Sequence, residues 1–266
     1  MKIYYYVHTG HRIGLDRFRR AVAIVKELQK DMEITLLCSD FRIANEAKDF
    51  GIKTSVGIDV VRNIPYIAHH GDKIIFDSDE ANPIMLEDMK NFFSSFIHLK
   101  EEEVVVDDKY FSNEEKTIDK VLFFGDDDYG KDLEKHLDIF DGLELDLQLG
   151  FYYFLDYEES LKQKFKNHHE FEEYDEVIKK TKVLITSSPQ AVLENLASGG
   201  KPIYIQRKDY TEKFRELFEK LNIPIIDNYN KNLLFEVLES LNERNYKQIE
   251  KNSYKIINFI KDSLNL

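Results

Sequence analysis

Short apolar runs alternate with longer amphipathic stretches along nearly the whole chain. Residues 2–7, 33–38, 52–55, 73–77, 96–99 and 104–106 are compact, largely apolar runs that predict strands. Residues 16–29, 41–49 and 83–92 place apolar positions three and four apart and predict helices, the second of them stopped by Gly51. A polar, poorly periodic stretch at 107–119 marks a break. The pattern then restarts, with strands at 121–124, 144–149, 183–185, 202–205 and 224–226. Helices are expected at 130–136, 157–165, 173–180, 190–197 and 211–221, followed by a helical tail in two pieces over 231–266. Strands separated by helices of these lengths build parallel sheets from βαβ units. The expected fold is α/β, with two Rossmann-like, doubly wound parallel-sheet domains facing a cleft. The first spans 1–115, and the second spans 116–266 with the terminal helices. In open sheets of this kind ligands bind at the carboxyl ends of the strands, which singles out the loop at 8–14 and the turn at 187–190.

The second of these carries Thr186-Ser187-Ser188-Pro189-Gln190-Ala191-Val192-Leu193-Glu194, followed by Gly199-Gly200-Lys201-Pro202. A strand breaks here at small residues, and a proline suited to a first helical turn opens a helix. The backbone N–H groups at such a helix start are a cradle for a diphosphate. Glu194, one turn in, is placed to accept hydrogen bonds from ribose hydroxyls. An ordinary strand–turn–helix with a solvated Glu194 fits the same spacing.

Composition narrows the partners. At 266 residues and 42% hydrophobic, with 19 Phe and 15 Tyr, the chain builds a core. A net charge of −13 makes nucleic acid and anionic membrane surfaces poor partners. Cys38, the only cysteine, excludes an internal disulfide and lies in an apolar run that predicts a buried, inert thiol. No stretch approaches the roughly 18 apolar residues of a membrane span, and the start lacks the features of a signal peptide, so a cytoplasmic protein is expected. Walker, nucleophile-elbow and zinc patterns are missing from the sequence.

A further patch, Ile13-Gly14-Leu15-Asp16-Arg17-Phe18-Arg19-Arg20, follows the first strand, and Gly125-Asp126-Asp127-Asp128 follows the strand at 121–124. With the segment at 183–202, these patches resemble the nucleotide-sugar enzymes of GT-B architecture. The chain looks closest to the branch of the pseudaminic-acid-pathway UDP-sugar hydrolase and its spore-coat relative, and more distantly like the lipid II-forming N-acetylglucosaminyltransferase. The resemblance implies a nucleotide-sugar ligand, UDP-linked, cleaved or transferred at its anomeric carbon with no metal or other cofactor. It also implies a place in surface-glycan or flagellar-sugar synthesis. In that branch the first patch reads Gly-x-Gly-His-x-x-Arg. Gly14 matches the first glycine and Arg20 the arginine, while Asp16 stands at the second glycine and Arg17 at the histidine. In the second patch Ser188, Pro189, Gln190 and Ala191 occupy the usual Gly and Ser/Thr positions. Asp126 and Asp127 replace a Gly-Gly turn and would repel a phosphate.

The remaining candidates are weighed on their own chemistry. His8 and His11 flank Thr9-Gly10, and His11 is a candidate base in place of the histidine that Arg17 displaces, a solvated loop histidine being the plain alternative. Asp16 is a second candidate base or, more simply, a helix N-cap. Arg17 and Arg20 lie on adjacent turns of one helix face, able to grip a carboxylate, a phosphate or an acidic acceptor, or to be ion-paired at the surface. His69-His70 point to opposite faces, and Asp77-Ser78-Asp79-Glu80 reads as the top of a strand and the cap of the next helix, so no metal site is expected. His168-His169 and residues 101–103 read as solvated, and Tyr4-Tyr5-Tyr6 as buried. The expected site therefore has Ser187, Ser188 and Gln190 on the diphosphate and Glu194 on the ribose. Gly14, Arg17, Arg20 and His11 lie on the sugar side, and His11 and Asp16 are the catalytic candidates. The alternative is a non-catalytic GT-B-like relative serving a protein partner, for which Arg17 and Asp126-Asp127 are the evidence.

Overall fold

The computed structural model describes residues 1–100, 103–112, 114–251 and 253–264, the side chains of Ser253 and Tyr254 excepted. Glu101 and Glu102, read above as solvated, lie outside the described residues. The chain forms two compact units, Met1–Asp108 with Lys251–Leu266, and Lys109–Glu250.

In the first unit five parallel strands, β1 (Ile3–Val7), β2 (Ile34–Cys38), β3 (Ser55–Gly57), β4 (Lys73–Asp77) and β5 (Ser95–His98), lie in the order β3-β2-β1-β4-β5. The helices α1 (Asp16–Leu28), α2 (Phe41–Glu46) and α3 (Pro83–Phe92) connect them. Every residue of β1 and of β4 is buried, as expected for a parallel sheet covered on both faces, and Tyr6 stacks on Phe76 across the ladder at 5.3 Å. The triple tyrosine is thus core, as expected.

The second unit has six parallel strands. They are β6 (Ile118–Phe123), β7 (Asp146–Gln148), β8 (Asn167–His169), β9 (Thr181–Thr186), β10 (Lys201–Ile205) and β11 (Ile225–Ile226), in the order β11-β10-β9-β6-β7-β8. Its helices are α4 (Asp132–Lys135), α5 (Leu155–Lys162), α6 (Tyr174–Lys180), α7 (Pro189–Ala197), α8 (Arg215–Lys220) and α9 (Lys231–Glu239). Counting from the first strand of each unit, both orders reverse between the first and fourth strands. The topological switch point is therefore β1/β4 in one unit and β6/β9 in the other, and ligands of doubly wound sheets bind outside the carboxyl ends at that point.

Several local expectations need correction. The last helix, α10 (Ser253–Ser263), was expected with the second set of elements but packs on α1 and β5 of the first. Ile257, Ile260 and Leu264 are buried there, Ser95 Oγ donates to Ser263 O at 3.0 Å, and the buried Lys73 ammonium donates to Leu264 O. Val105 and Val106 are buried but lie outside any strand, and the strand expected at 52–55 forms at Ser55–Gly57 because Ile52 N closes the end of α2 on Ala47 O. The polar β8 escapes hydrophobic patterning; His169 Nε2 in it stands 3.2 Å from Asp146 Oδ2, so this histidine is engaged rather than solvated. Finally, Leu15 and not Asp16 is the N-cap residue of α1, and Asn82, not the acidic run before it, caps α3 through its side chain.

Candidate functional site

In the second unit, β9 delivers Ser187 and Ser188 to the switch point, and α7 starts at once. Ser188 Oγ accepts from Ala191 N at 3.1 Å, Thr186 Oγ1 accepts from Ser188 N at 3.0 Å, and Pro189 occupies the first turn without needing a donor. Much of the amide cradle expected at this helix start is thus satisfied internally. The Ser187 hydroxyl is fully buried and finds no partner. Gln190 and Glu194 are one turn apart and buried: Gln190 Nε2 donates to Glu194 Oε1 at 3.0 Å, and the Tyr174 hydroxyl donates to Oε2 at 2.7 Å. Glu194 is therefore a clamped carboxylate, not the solvated helix residue of the simpler reading. Burial and the charge of Glu194 push the neighbouring Tyr110 hydroxyl well above its ordinary range.

Across the switch point, the loop after β6 turns at Gly125, whose φ is +124°. Asp126, Asp127 and Asp128 are all buried. Asp128 caps α4, accepting from Asp132 N and Leu133 N at 2.9 Å each and from the Tyr157 hydroxyl at 2.5 Å. The counter-charge is Arg207, two residues beyond β10, which patterning did not single out. It is 1% exposed, lies between the Phe124 and Tyr210 rings at 4.8 and 4.2 Å, and donates to Asp127 O at 2.7 Å and to Asp209. Burial disfavours its charge, but Tyr210, Asp209 and Asp128 more than offset this and raise its pKa. The available signal was a lone arginine just past an apolar strand, followed by Asp209 and Tyr210. A groove of about 400 Å³, lined by Asp119, Lys120, Phe140, Lys164 and Phe165 among others, lies at the opposite, amino-terminal ends of these strands and takes no part in this arrangement.

In the first unit, β1 ends at His8 and the loop closes on itself, Ile13 N and Gly14 N both donating to Gly10 O. Gly14 sits at φ +73°, which favours glycine. His11 is exposed in this loop, and Asp16 is half-buried with Arg19 Nη1 at 3.9 Å. Arg20 is 3% exposed, and its Nε and Nη2 grip Asp77 at the end of β4, while Nη1 donates to Lys100 O at 2.9 Å and Glu103 O at 2.7 Å. Burial opposes the guanidinium charge, but the fully buried Asp77 carboxylate outweighs it and raises the arginine pKa. The Tyr5 hydroxyl donates to Asp77 as well, at 2.8 Å, and burial together with that charge pushes the phenol well above its ordinary range. Arg17 Nη2 pairs with Asp79 and its Nη1 lies 3.7 Å from Asp77. The paired arginines thus do grip a carboxylate, and the carboxylate is the chain's own. Beside them, His8 Nε2 stands 3.1 Å from Glu80 Oε2, while Glu80 Oε1 accepts from the Tyr6 hydroxyl and Val61 N at 2.9 Å each. Among the described residues no group of three or more His, Cys, Asp or Glu side chains is arranged to hold a metal, and no helix is long and apolar enough to cross a membrane.

No protein-family model matches the sequence, and a search of curated proteins finds no match. Solved structures match along nearly the whole chain. The UDP-GlcNAc 2-epimerase of Methanocaldococcus jannaschii, in complex with UDP-GlcNAc and UDP, superposes with a TM-score of 0.62 at 12% identity, covering 98% of this chain and 100% of that one. The fold is GT-B. The S. aureus MnaA–UDP structure gives a TM-score of 0.55 at 16% identity over 100% of this chain and 98% of its own. The E. coli heptosyltransferase WaaC with ADP gives 0.52 at 9% identity, over 91% and 98%. At these identities the likeness is one of GT-B architecture, two parallel-sheet α/β units with their switch points where the clusters above are found.

Proposed function

We infer that the chain is a nucleotide-sugar enzyme, a UDP-sugar hydrolase or glycosyltransferase acting at the anomeric carbon. The observation that carries this reading is the β9–turn–α7 segment at the switch point, with a capped helix start and a buried, doubly hydrogen-bonded Glu194 one turn in. Its GT-B neighbours, solved with UDP or ADP, support a nucleoside diphosphate as the ligand. The Ser187 hydroxyl, Ser188 and Gln190 meet the diphosphate, and the α7 dipole favours its charge. Glu194 takes the ribose hydroxyls by exchanging its bonds to Tyr174 and Gln190. Departure of the diphosphate is stabilised by the positive end of the α7 dipole. By analogy of fold alone, the product serves surface-glycan or flagellar-sugar synthesis.

The test is calorimetric titration of UDP, GDP and ADP into the wild type and Glu194→Ala. Micromolar affinity for UDP, weakened at least tenfold in the variant, is expected. A folded wild type that binds none of the three overturns the reading. A second reading, a non-catalytic scaffold for a protein partner, is favoured by one observation: each of these charges is spent within its own unit, Arg20 on Asp77, Asp128 on the start of α4, and Arg207 on Asp127 O and Asp209. Nucleotide binding without turnover of any UDP-sugar would support it.

A further inference from the structure

The carboxylate expected to receive a ribose already has a donor on each oxygen. The Tyr174 hydroxyl donates to Glu194 Oε2 at 2.7 Å and Gln190 Nε2 to Oε1 at 3.0 Å, with all three side chains buried. The two donors differ in origin. Gln190 reaches Glu194 along the same helix, one turn away. Tyr174 comes from another element, as the first residue of α6. Its ring packs edge-on against Phe123 at the end of β6, with centroids 5.2 Å apart. The next residue, Asp175, accepts from the Lys109 ammonium and from the Tyr110 hydroxyl at 2.5 Å. Asn195 on α7 donates to Ile178 O on α6 at 3.0 Å and fixes the two helices against each other. The packing of α6 on α7 therefore delivers the Tyr174 hydroxyl to Glu194. At the head of α7, by contrast, the Ser187 hydroxyl is buried with no partner. One turn thus holds a polar group still to be supplied, and the next a carboxylate that the chain supplies itself. All of these residues belong to the second unit.

We propose that Tyr174 sets the specificity of this seat for ribose, its hydroxyl keeping the place on Glu194 that a sugar hydroxyl takes when a ribonucleoside diphosphate binds. The role rests on the nucleotide reading of α7. A phenol O–H and a sugar O–H are equivalent donors to a carboxylate oxygen, so the exchange leaves Glu194 satisfied before and after. Its cost falls on the tyrosine, which gives up a charge-assisted hydrogen bond. A nucleotide without ribose hydroxyls has nothing to exchange, and Tyr174 keeps its bond. Once the tyrosine hydroxyl is removed, the unliganded protein holds a buried carboxylate with one donor fewer. The ribose hydroxyls then contribute more to binding than they do in the wild type. A tyrosine that merely supported α6 would change the affinity of both kinds of nucleotide alike.

The experiment is a double-mutant cycle read by calorimetry. UDP and 2′,3′-dideoxyuridine 5′-diphosphate are titrated into wild type and Tyr174→Phe, or the matching GDP or ADP pair if one of those is what the wild type binds. Loss of the two hydroxyls is expected to weaken binding at least tenfold more in Tyr174→Phe than in wild type, and the variant is expected to bind UDP more tightly. A difference below about threefold, or a larger loss in the wild type, overturns the proposal and leaves the nucleotide reading standing. A variant too unstable to titrate leaves the wild type to answer by NMR, with tyrosine carbon-13 labelled at Cζ. The Tyr174 resonance should move further on saturation with UDP than with the dideoxy analogue, and an equal response to both overturns the proposal. A folded wild type that binds none of the three nucleoside diphosphates overturns the nucleotide reading, and the role of Tyr174 with it.

Discussion

Replacing Asp77 with alanine leaves the Arg20 guanidinium, 3% exposed, without the carboxylate that Nε and Nη2 hold. Removing one partner of a buried pair costs about 3–5 kcal/mol, because the other charge stays buried and unpaired. Urea unfolding of Asp77→Ala should show a loss of that size, and the double variant Asp77→Ala/Arg20→Met should recover most of it. Were Arg20 instead a substrate ligand, Asp77→Ala would leave stability nearly unchanged. Cys38 gives a second residue-scale expectation. The thiol is fully buried, and burial, with a smaller contribution from Asp40, raises its pKa from 9.0 to about 12. Below pH 9 both folded and unfolded chains keep the thiol protonated. Above it the unfolded chain ionises first, so this contribution to stability declines as pH rises from 9 towards 12. Cys38→Ala should therefore show a shallower fall in Tm between pH 8 and 10.5 than wild type, and the native wild-type thiol should resist a thiol reagent until the chain is unfolded.

At the scale of elements, α7 depends on both of its ends. Ser188→Ala removes the bond to Ala191 N and should cost about 1 kcal/mol in urea unfolding. Gly200→Ala should cost more, since a Cβ there would stand 2.3 Å from Asn195 Oδ1, and Asn195 is buried with its amide donating to Ile178 O and Thr181 O. Gly199 has the separate task of ending the helix at φ +80°. The Gly199-Gly200 pair was visible in the sequence, but its second reason was not, because the close approach of Gly200 to the Asn195 side chain depends on that side chain being held by Ile178 O and Thr181 O, which is a tertiary fact. The same division runs through the whole chain. The bounds of β4 and α3 could be read from residues 73–77 and 83–92, because their apolar positions match the period of the element. The edge strand β8 could not, since Asn167-His168-His169 is polar and is held by pairing to β7 alone. At the site, Glu194 and the arginines of α1 were legible as chemistry, but their partners Tyr174, Gln190 and Asp77 required the fold. His8 was noticed only as a neighbour of His11, because nothing in the spacing of residues 8 and 80 announces a contact across the switch point.

For the molecule as a whole, the decisive element is α10. Its Ile257, Ile260 and Leu264 fill part of the first unit's core, and Lys261 reaches Asp31 at 2.5 Å. A chain ending at Glu250 should lose stability in the first unit while the second, Lys109–Glu250, keeps its own sheet and core. Thermal unfolding should then separate into two transitions, with limited proteolysis cutting first within Met1–Asp108; a single transition at the wild-type temperature would contradict this. The placement of α10 also sets an order in time. During synthesis the ribosome releases the five strands of the first unit, then every residue of the second, and only afterwards the helix that completes the first. At 5–20 residues per second the intervening stretch takes on the order of ten seconds to emerge. Throughout that interval the second unit has all it needs to fold, and the first waits with the seat for α10 uncovered, so it is the amino-terminal half of this protein that most needs a chaperone.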